Sequence, residues 1–161
     1  GRYSVRKKKG RGIQMFDAYL IKDGSFQNYE ENGETAGFKV DVHIGEYRGC
    51  FLSLVRGYYV EVDGVEYPLE TQKFEINNKA PRTFEEIAKA AWEHWDYDDY
   101  ATLYVACPGG LAKGKHRLGL MQGLMTQYGW QAHDQEWIDN TPLPREMAGK
   151  QQEVYYFDVE I

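Results

Sequence analysis

The chain has 161 residues, of which 42% are hydrophobic and 15% aromatic, so a largely disordered protein is excluded and a real hydrophobic core is expected. Its net charge is −6, but residues 1–14 contain six basic residues and no acid, which leaves 13 basic against 25 acidic residues in the remainder. This acidic remainder, with a balance of −12, argues against nucleic acid as the main ligand.

Residues 1–14 are set apart by their basic composition. We interpret them as an N-terminal extension, either disordered or vector-derived, because Met15 offers a start, and we expect residues 15–161 to form one domain. The other interpretation is a basic arm that binds nucleic acid. Neither a secretion signal nor a long apolar run is present in the sequence, which predicts a cytoplasmic protein outside the membrane.

The first predicted elements precede residue 45. Residues 16–21 indicate a short strand or capping segment, and the polar stretch 28–33 indicates a loop or hairpin turn. Residues 38–44 alternate between apolar and polar side chains, which is the period of two typical of a half-buried strand.

A hairpin is predicted in the middle of the chain. Residues 51–55 indicate a short apolar strand, and residues 58–62 and 65–67 flank the dipeptide Asp63-Gly64. A two-residue type I′ turn needs positive φ at both central positions, which Asp-Gly tolerates, so the two flanking runs should pair as antiparallel strands.

One helix is predicted after the hairpin. Thr83 and Glu86 have the spacing of a capping box, and apolar residues follow at helical intervals. We expect a short helix near residues 84–95 that packs Trp92 and Trp95 against a sheet.

Strands return after the helix, at residues 101–106, 116–128 and 154–159. In the long middle strand, Gly119 and Gly123 indicate a bulge or a close neighbour. Eight or so short strands separated by turn signals favour an all-β protein, an antiparallel β-sandwich of the jelly-roll type.

Motifs for chemistry are absent from the sequence. The histidines are scattered without metal-ligand spacing, the nucleophile elbow and the phosphate-binding glycine loop are missing, and Cys50 and Cys107 are expected to be buried free thiols. From the residues alone, the chain is interpreted as a small binding or accessory domain with no catalytic residue and no metal ligand.

Residues 37–68, GFKVDVHIGEYRGCFLSLVRGYYVEVDGVEYP, resemble the signature of the small beta subunit of bacterial C-glycoside deglycosidases. In that family a G-F-x-x-x-V-x-I strand leads into Y-R-G, an apolar L-S-L/M stretch and V-x-V-D-G-x-E-x-P. Residues 82–87, RTFEEI, and 101–118, ATLYVACPGGLAKGKHRL, resemble later motifs of the family. The order and spacing of these motifs agree together over roughly residues 15–130.

The resemblance implies an all-β sandwich that binds a larger alpha subunit, a TIM barrel similar to sugar isomerases, in a heteromeric assembly. Such a complex is a lyase that cleaves the C–C bond between a 3-keto sugar and a flavonoid or similar aglycone by elimination. The resemblance also implies that a divalent metal, expected to be manganese, and the acid/base residues belong to the alpha subunit. No cofactor is therefore expected in this chain.

Residues for contact with the alpha subunit are proposed on the same basis. An arginine can bind a partner carboxylate through two hydrogen bonds, and aromatic rings bury area at low entropy cost. The alternative is that these residues have no role in binding: the glycine would only form a turn, the arginine would be solvated, and the histidine would be solvated or packed in the core. The predicted interface or site-shaping residues are Tyr47, Arg48, Gly49, His116, Tyr128 and Trp130.

Two other functions are weighed against this one. A free-standing carbohydrate-binding sandwich would use exposed rings as a stacking platform, with Trp130 and Trp137 as its candidates. A nucleic-acid adaptor would work through residues 1–14 and would show steep salt dependence.

Overall fold

The computed structural model describes residues 4–6, 20–45, 49–124 and 154–161, most of which form β-structure. One helix, α1, covers Phe84–Ile87, and short 3-10 turns occur at Leu52–Leu54 and Leu69–Thr71. The strands are β1 (Ser4–Arg6), β2 (Gln27–Glu31), β3 (Glu34–His43), β4 (Cys50–Phe51), β5 (Val55–Val62), β6 (Val65–Tyr67), β7 (Gln72–Glu75), β8 (His94–Trp95), β9 (Tyr100–Ala106), β10 (Lys115–Leu124) and β11 (Tyr155–Glu160).

The strands form two main sheets and one small ribbon. The five-stranded sheet has the order β1-β11-β10-β5-β6, and the four-stranded sheet has the order β2-β3-β9-β7. β4 and β8 pair separately as a two-stranded ribbon. All of these pairs are antiparallel, which confirms the predicted strand class.

The hydrophobic core lies between the two main sheets. Phe38, Val40 and Val42 of β3 are buried, and they share one cluster with Val60 of β5 and Leu118 of β10. Between them, Lys39 and Asp41 are only partly buried, as expected for a strand with one face toward a core. The predicted all-β sandwich is therefore confirmed.

The polar stretch 28–33 is mostly strand, so its prediction as a loop or turn was wrong for most of its length. Only Asn32 and Gly33 turn, both with positive φ, between β2 and β3. β2 is an edge strand whose residues are exposed or half-buried. Polar side chains are common on such edges because they discourage pairing with other chains.

The predicted strand at residues 51–55 was also wrong. β4 ends at Phe51, Leu52–Leu54 form a 3-10 turn, and Val55 already begins β5. The Leu52 N–H donates to the Glu93 carbonyl at 2.7 Å, so the backbone here bonds to the segment before β8. A tertiary contact, rather than local apolar character, sets the conformation.

The hairpin between β5 and β6 is confirmed. Asp63 and Gly64 have φ values of 50° and 86°, and Val62 pairs with Val65 across the turn. These values match the turn that the Asp-Gly dipeptide predicts.

The helix begins as predicted but ends early, so the predicted extent of 84–95 was wrong. The Thr83 hydroxyl accepts from the Glu86 N–H, and the Glu86 carboxylate accepts from the Thr83 N–H, which completes the capping box. The helix ends at Ile87, and Trp95 lies in a strand instead. Trp92 is 91% exposed and does not pack on a sheet.

The two glycines of β10 behave as expected. The register between β10 and β5 shifts between Gly123 and Leu124, which is a bulge. A Cβ on Gly119 would lie 2.6 Å from Glu61 Cγ, so this position has a close neighbour. The predicted part of this strand beyond Leu124 lies outside the described residues.

The ends of the chain meet in the five-stranded sheet, where β1 pairs with β11 at the edge. β1 lies within residues 1–14, which the sequence analysis set apart from the fold. Cys50 is buried as expected, whereas Cys107 is only half-buried, and both are free thiols. Within the described ranges, the helical segments are too short or too polar to cross a lipid bilayer.

Candidate partner-binding surface

Gly49, the last residue of the Tyr-Arg-Gly motif, lies where two backbones approach closely. A Cβ at this position would collide with the carbonyl oxygen of Trp95 and would lie 2.5 Å from His94 Cε1. The motif therefore needs glycine here for packing against β8. Its neighbours Tyr47 and Arg48 lie outside the described residues, as do Tyr128, Trp130 and Trp137, so their predicted roles stay predictions.

The ribbon of β4 and β8 holds this end of the sandwich together. Cys50 pairs with Trp95, and the buried Trp95 ring packs against Phe74 at a centroid distance of 5.4 Å. The Trp95 indole N–H donates to the Asp99 carbonyl at 2.9 Å. Trp95 thus anchors the ribbon and the following loop to the core.

Four large aromatic side chains remain exposed around this anchor, and we call them the aromatic end: Phe51, Trp92, Tyr97 and Tyr100. Trp92 is 91% exposed, and the other three are between 38% and 44% exposed. Tryptophan is usually highly buried in globular proteins, so such an exposed ring is informative.

Two histidines each contact part of the aromatic end. The His43 ring contacts Tyr97 and Tyr100 at centroid distances of 5.0 and 5.6 Å, and the His94 ring contacts Phe51 at 5.5 Å. His43 and Tyr100 are register partners, so the surface lies where β3 ends and β9 begins. Gln122 of β10 connects this end of β3 to the other sheet, because its side-chain oxygen accepts a hydrogen bond from the Gly45 N–H at 2.9 Å.

The same surface carries negative charge. Asp96, Asp98 and Asp99 are exposed, and Asp96 lies 2.7 Å from the His94 ring nitrogen. A cation also lies at this surface: Lys22 Nζ is 5.5 Å from the Tyr100 centroid. Exposed rings beside carboxylates suit a partner with apolar and basic groups.

His116, another predicted interface residue, is bound to its own chain. Nδ1 is 2.6 Å from Asp63 Oδ2, and Nε2 is 2.6 Å from the Ala112 carbonyl oxygen. Because both partners only accept hydrogen bonds, both ring nitrogens must donate, which requires the imidazolium form. Burial opposes this charge, but the hydrogen bonds outweigh it and raise the pKa of His116. His116 therefore fastens the β5–β6 turn to the start of β10.

The His116–Asp63 pair predicts a stability that depends on pH. Because the pKa of His116 is higher in the folded than in the unfolded protein, the pair contributes to the free energy of unfolding. This contribution is complete at pH values below the pKa of the unfolded state and is lost as the pH rises through the pKa of the folded state. We expect His116→Gln to cost about 1 kcal/mol or less near pH 6, since Asp63 is half exposed, and less at pH 8. An NMR titration should show that Asp63→Asn lowers the pKa of His116, and an unchanged value would contradict the pairing.

A second ionic cluster closes the segment between β7 and β8. The Glu93 carboxylate accepts from both terminal nitrogens of Arg82, at 3.0 and 2.7 Å, and also from Lys79 and Asn77. The hydrogen bonds from Arg82 chiefly lower the pKa of Glu93, to about 2. Arg82 belongs to a family motif, but no local pattern in the sequence predicts this cluster, since its partner Glu93 is 11 residues away.

Removal of the Glu93 charge should destabilise the protein. We expect Glu93→Gln to lower the free energy of unfolding by about 2 kcal/mol at pH 7, because charge-assisted hydrogen bonds are lost. The lowered pKa gives stability that is present above the unfolded pKa of glutamate and is lost as the pH falls toward 2, so wild type and variant should converge in acid. Urea unfolding at several pH values measures this, with the exposed Glu85→Gln as the control.

The described residues contain no cluster of three or more histidine, cysteine or acidic side chains that could hold a metal ion. Glu93, the carboxylate whose pKa is most strongly lowered among these residues, belongs to the cluster with Arg82. His116, whose pKa is raised, belongs to the pair with Asp63.

Comparison with known proteins identifies similar sequences over most of the chain. A family model for the C-glycoside deglycosidase beta subunit matches residues 16–128. A relative from Eubacterium cellulosolvens named "C-glycoside deglycosidase beta subunit" is 36% identical over 100 residues, which cover 62% of this chain and 67% of the relative.

Proposed function

Because the chain belongs to the C-glycoside deglycosidase beta subunit family, we propose that it is the accessory subunit of a heteromeric deglycosidase and is inactive alone. The observation that carries this proposal is the extent of the family match. Residues 16–128 include both faces of the core and the ribbon that supports the aromatic end. We also propose a cytoplasmic location, which free thiols favour.

The proposed reaction cleaves the C–C bond between a 3-keto sugar and its aglycone, such as a flavonoid, by elimination. A 3-keto group acidifies the C–H bond at C2, so a base can remove that proton and the aglycone can leave from C1. A divalent metal, which we expect to be manganese on the alpha subunit, would supply charge stabilisation. We propose that the alpha subunit is a TIM barrel that also holds the acid/base residues.

The role left to this chain is to support and shape the alpha subunit. Its described ion pairs hold loops in place: His116 binds Asp63, and Glu93 binds Arg82. Rigid loops lose little conformational entropy on association, so they favour a pre-organised contact surface.

The proposal is tested by assaying three samples with a 3-keto C-glycoside: this chain, the alpha subunit of the same organism, and the two together. We expect release of the aglycone by the mixture and none by this chain. Full activity of this chain without the alpha subunit would refute the accessory role. Failure of the two chains to co-purify would refute the heteromeric complex.

A further inference from the structure

The aromatic end has the composition of a protein contact surface. Tryptophan and tyrosine are enriched at binding hot spots because they bury large areas with few rotatable bonds. Trp92, at 91% exposure, lies just before β8, and Phe51 packs on His94 of the same strand. Val65, the other large apolar residue exposed among the described residues, lies on the β5–β6 hairpin, beyond the opposite end of β5.

The backbone beneath this surface is rigidly held. Trp95 is fully buried, the Leu52 N–H bonds to Glu93, and Glu93 is itself held by Arg82. The exposed rings are therefore presented by a fixed segment. A pre-organised surface of this kind loses less entropy on binding than a mobile loop would.

The charge of the surface indicates which kind of partner can bind there. A symmetric dimer would place the same patch on both sides, so Asp96, Asp98 and Asp99 would face their own copies. The same carboxylates disfavour nucleic acid. A different protein that presents basic and apolar groups would complement both the carboxylates and the exposed rings of this surface.

We propose that the aromatic end, with Asp98 and Asp99, is the surface that docks the alpha subunit through a basic, partly apolar patch on that subunit. This inference rests on the proposed function, which supplies the partner but not the place of contact. Gly49 borders this surface, because it packs against the Trp95 carbonyl and the His94 ring.

The test measures binding of the purified alpha subunit to tagged variants of this chain by biolayer interferometry. We expect Trp92→Ala to weaken binding by about 25-fold, as for a hot spot. We expect the double variant Asp98→Lys/Asp99→Lys to weaken binding by about tenfold, with a smaller effect at high salt. The matched controls at the opposite end, Val65→Ala and Glu34→Lys, should bind within about threefold of the unaltered chain.

Thermal unfolding followed by circular dichroism verifies that each variant is folded, which we expect since these side chains are exposed. The inference is overturned if the folded aromatic and charge variants both bind within about fivefold of the unaltered chain, or if the controls lose as much affinity. It is also overturned if the chain alone forms a dimer that Trp92→Ala disrupts. Failure of the unaltered chain to bind the alpha subunit would instead overturn both this inference and the proposed complex.

Discussion

Replacement of Gly37 by alanine is expected to lower the free energy of unfolding by about 3 kcal/mol or more. A Cβ at this position would collide with the Val105 carbonyl oxygen and would lie 2.8 Å from the Cys107 nitrogen. Those atoms belong to backbone, so they cannot rotate aside as a side chain would. The Cys107 N–H bonds to the Ala36 carbonyl at 2.9 Å, and this bond between β3 and the segment after β9 would be strained or lost.

Urea unfolding of the variant and the wild type measures this loss. Gly33→Ala is the control, because no atom lies within 4 Å of its added Cβ and only its φ of 80° is unfavourable. We expect that control to cost about 1 to 2 kcal/mol. If Gly37→Ala is no more destabilising than Gly33→Ala, the strands do not approach as closely as described.

The second large effect is expected for Gln72→Leu, at about 3 kcal/mol. The buried Gln72 amide bonds to both backbone groups of Tyr58: its oxygen accepts from the Tyr58 N–H at 3.1 Å, and its nitrogen donates to the Tyr58 carbonyl at 2.7 Å. β6 ends at Tyr67, so it does not extend far enough to pair with this part of β5. The Gln72 side chain replaces the missing strand, and leucine would leave two buried polar groups unpaired.

The matched control for this prediction is Lys73→Leu, which introduces the same residue at the next, exposed position of β7. We expect that variant to change stability by less than about 0.5 kcal/mol. Chemical denaturation of both variants separates the lost hydrogen bonds from a general effect of leucine. Equal stability of the two variants would show that the Gln72 amide is not required.

Local signals predicted the elements that depend on neighbouring residues. Asp63 and Gly64 form their turn because positive φ is tolerated there whatever the rest of the chain does. The Thr83–Glu86 capping box forms because all of its groups lie within four residues. The alternation on β3 predicted its buried face for the same local reason.

The helix near residues 84–95 shows where local signals were insufficient. Apolar residues at helical spacing favoured three turns, but a helix this short is only marginally stable without tertiary support. Instead, the chain turns after Ile87 and then enters β8, and burial of Trp95 against Phe74 and pairing of Glu93 with Arg82 stabilise this path. As a result, Trp92 lies on the surface, and its predicted packing against a sheet is wrong.

In the candidate site, too, some features follow from the sequence and others depend on the tertiary structure. Of the Tyr-Arg-Gly motif, Gly49 is required by the close approach of the β8 backbone, and the contact role of the motif stays a prediction. The exposed rings around it could not be predicted, because exposure depends on what the other strands leave uncovered. His116 was selected as a contact residue, but its two hydrogen bonds to its own chain depend on residues 53 and 4 positions away.

The amino-acid sequence by itself determined the β-sandwich class, the β5–β6 hairpin, the start of the helix and the family, because each depends on local periodicity or on motifs in a fixed order. Only the tertiary structure decided that the helix ends at Ile87, that Gln72 replaces a strand beside Tyr58, and that aromatic rings and carboxylates meet at one end. These features arise from contacts between residues distant in sequence, whose free energies outweigh local preference.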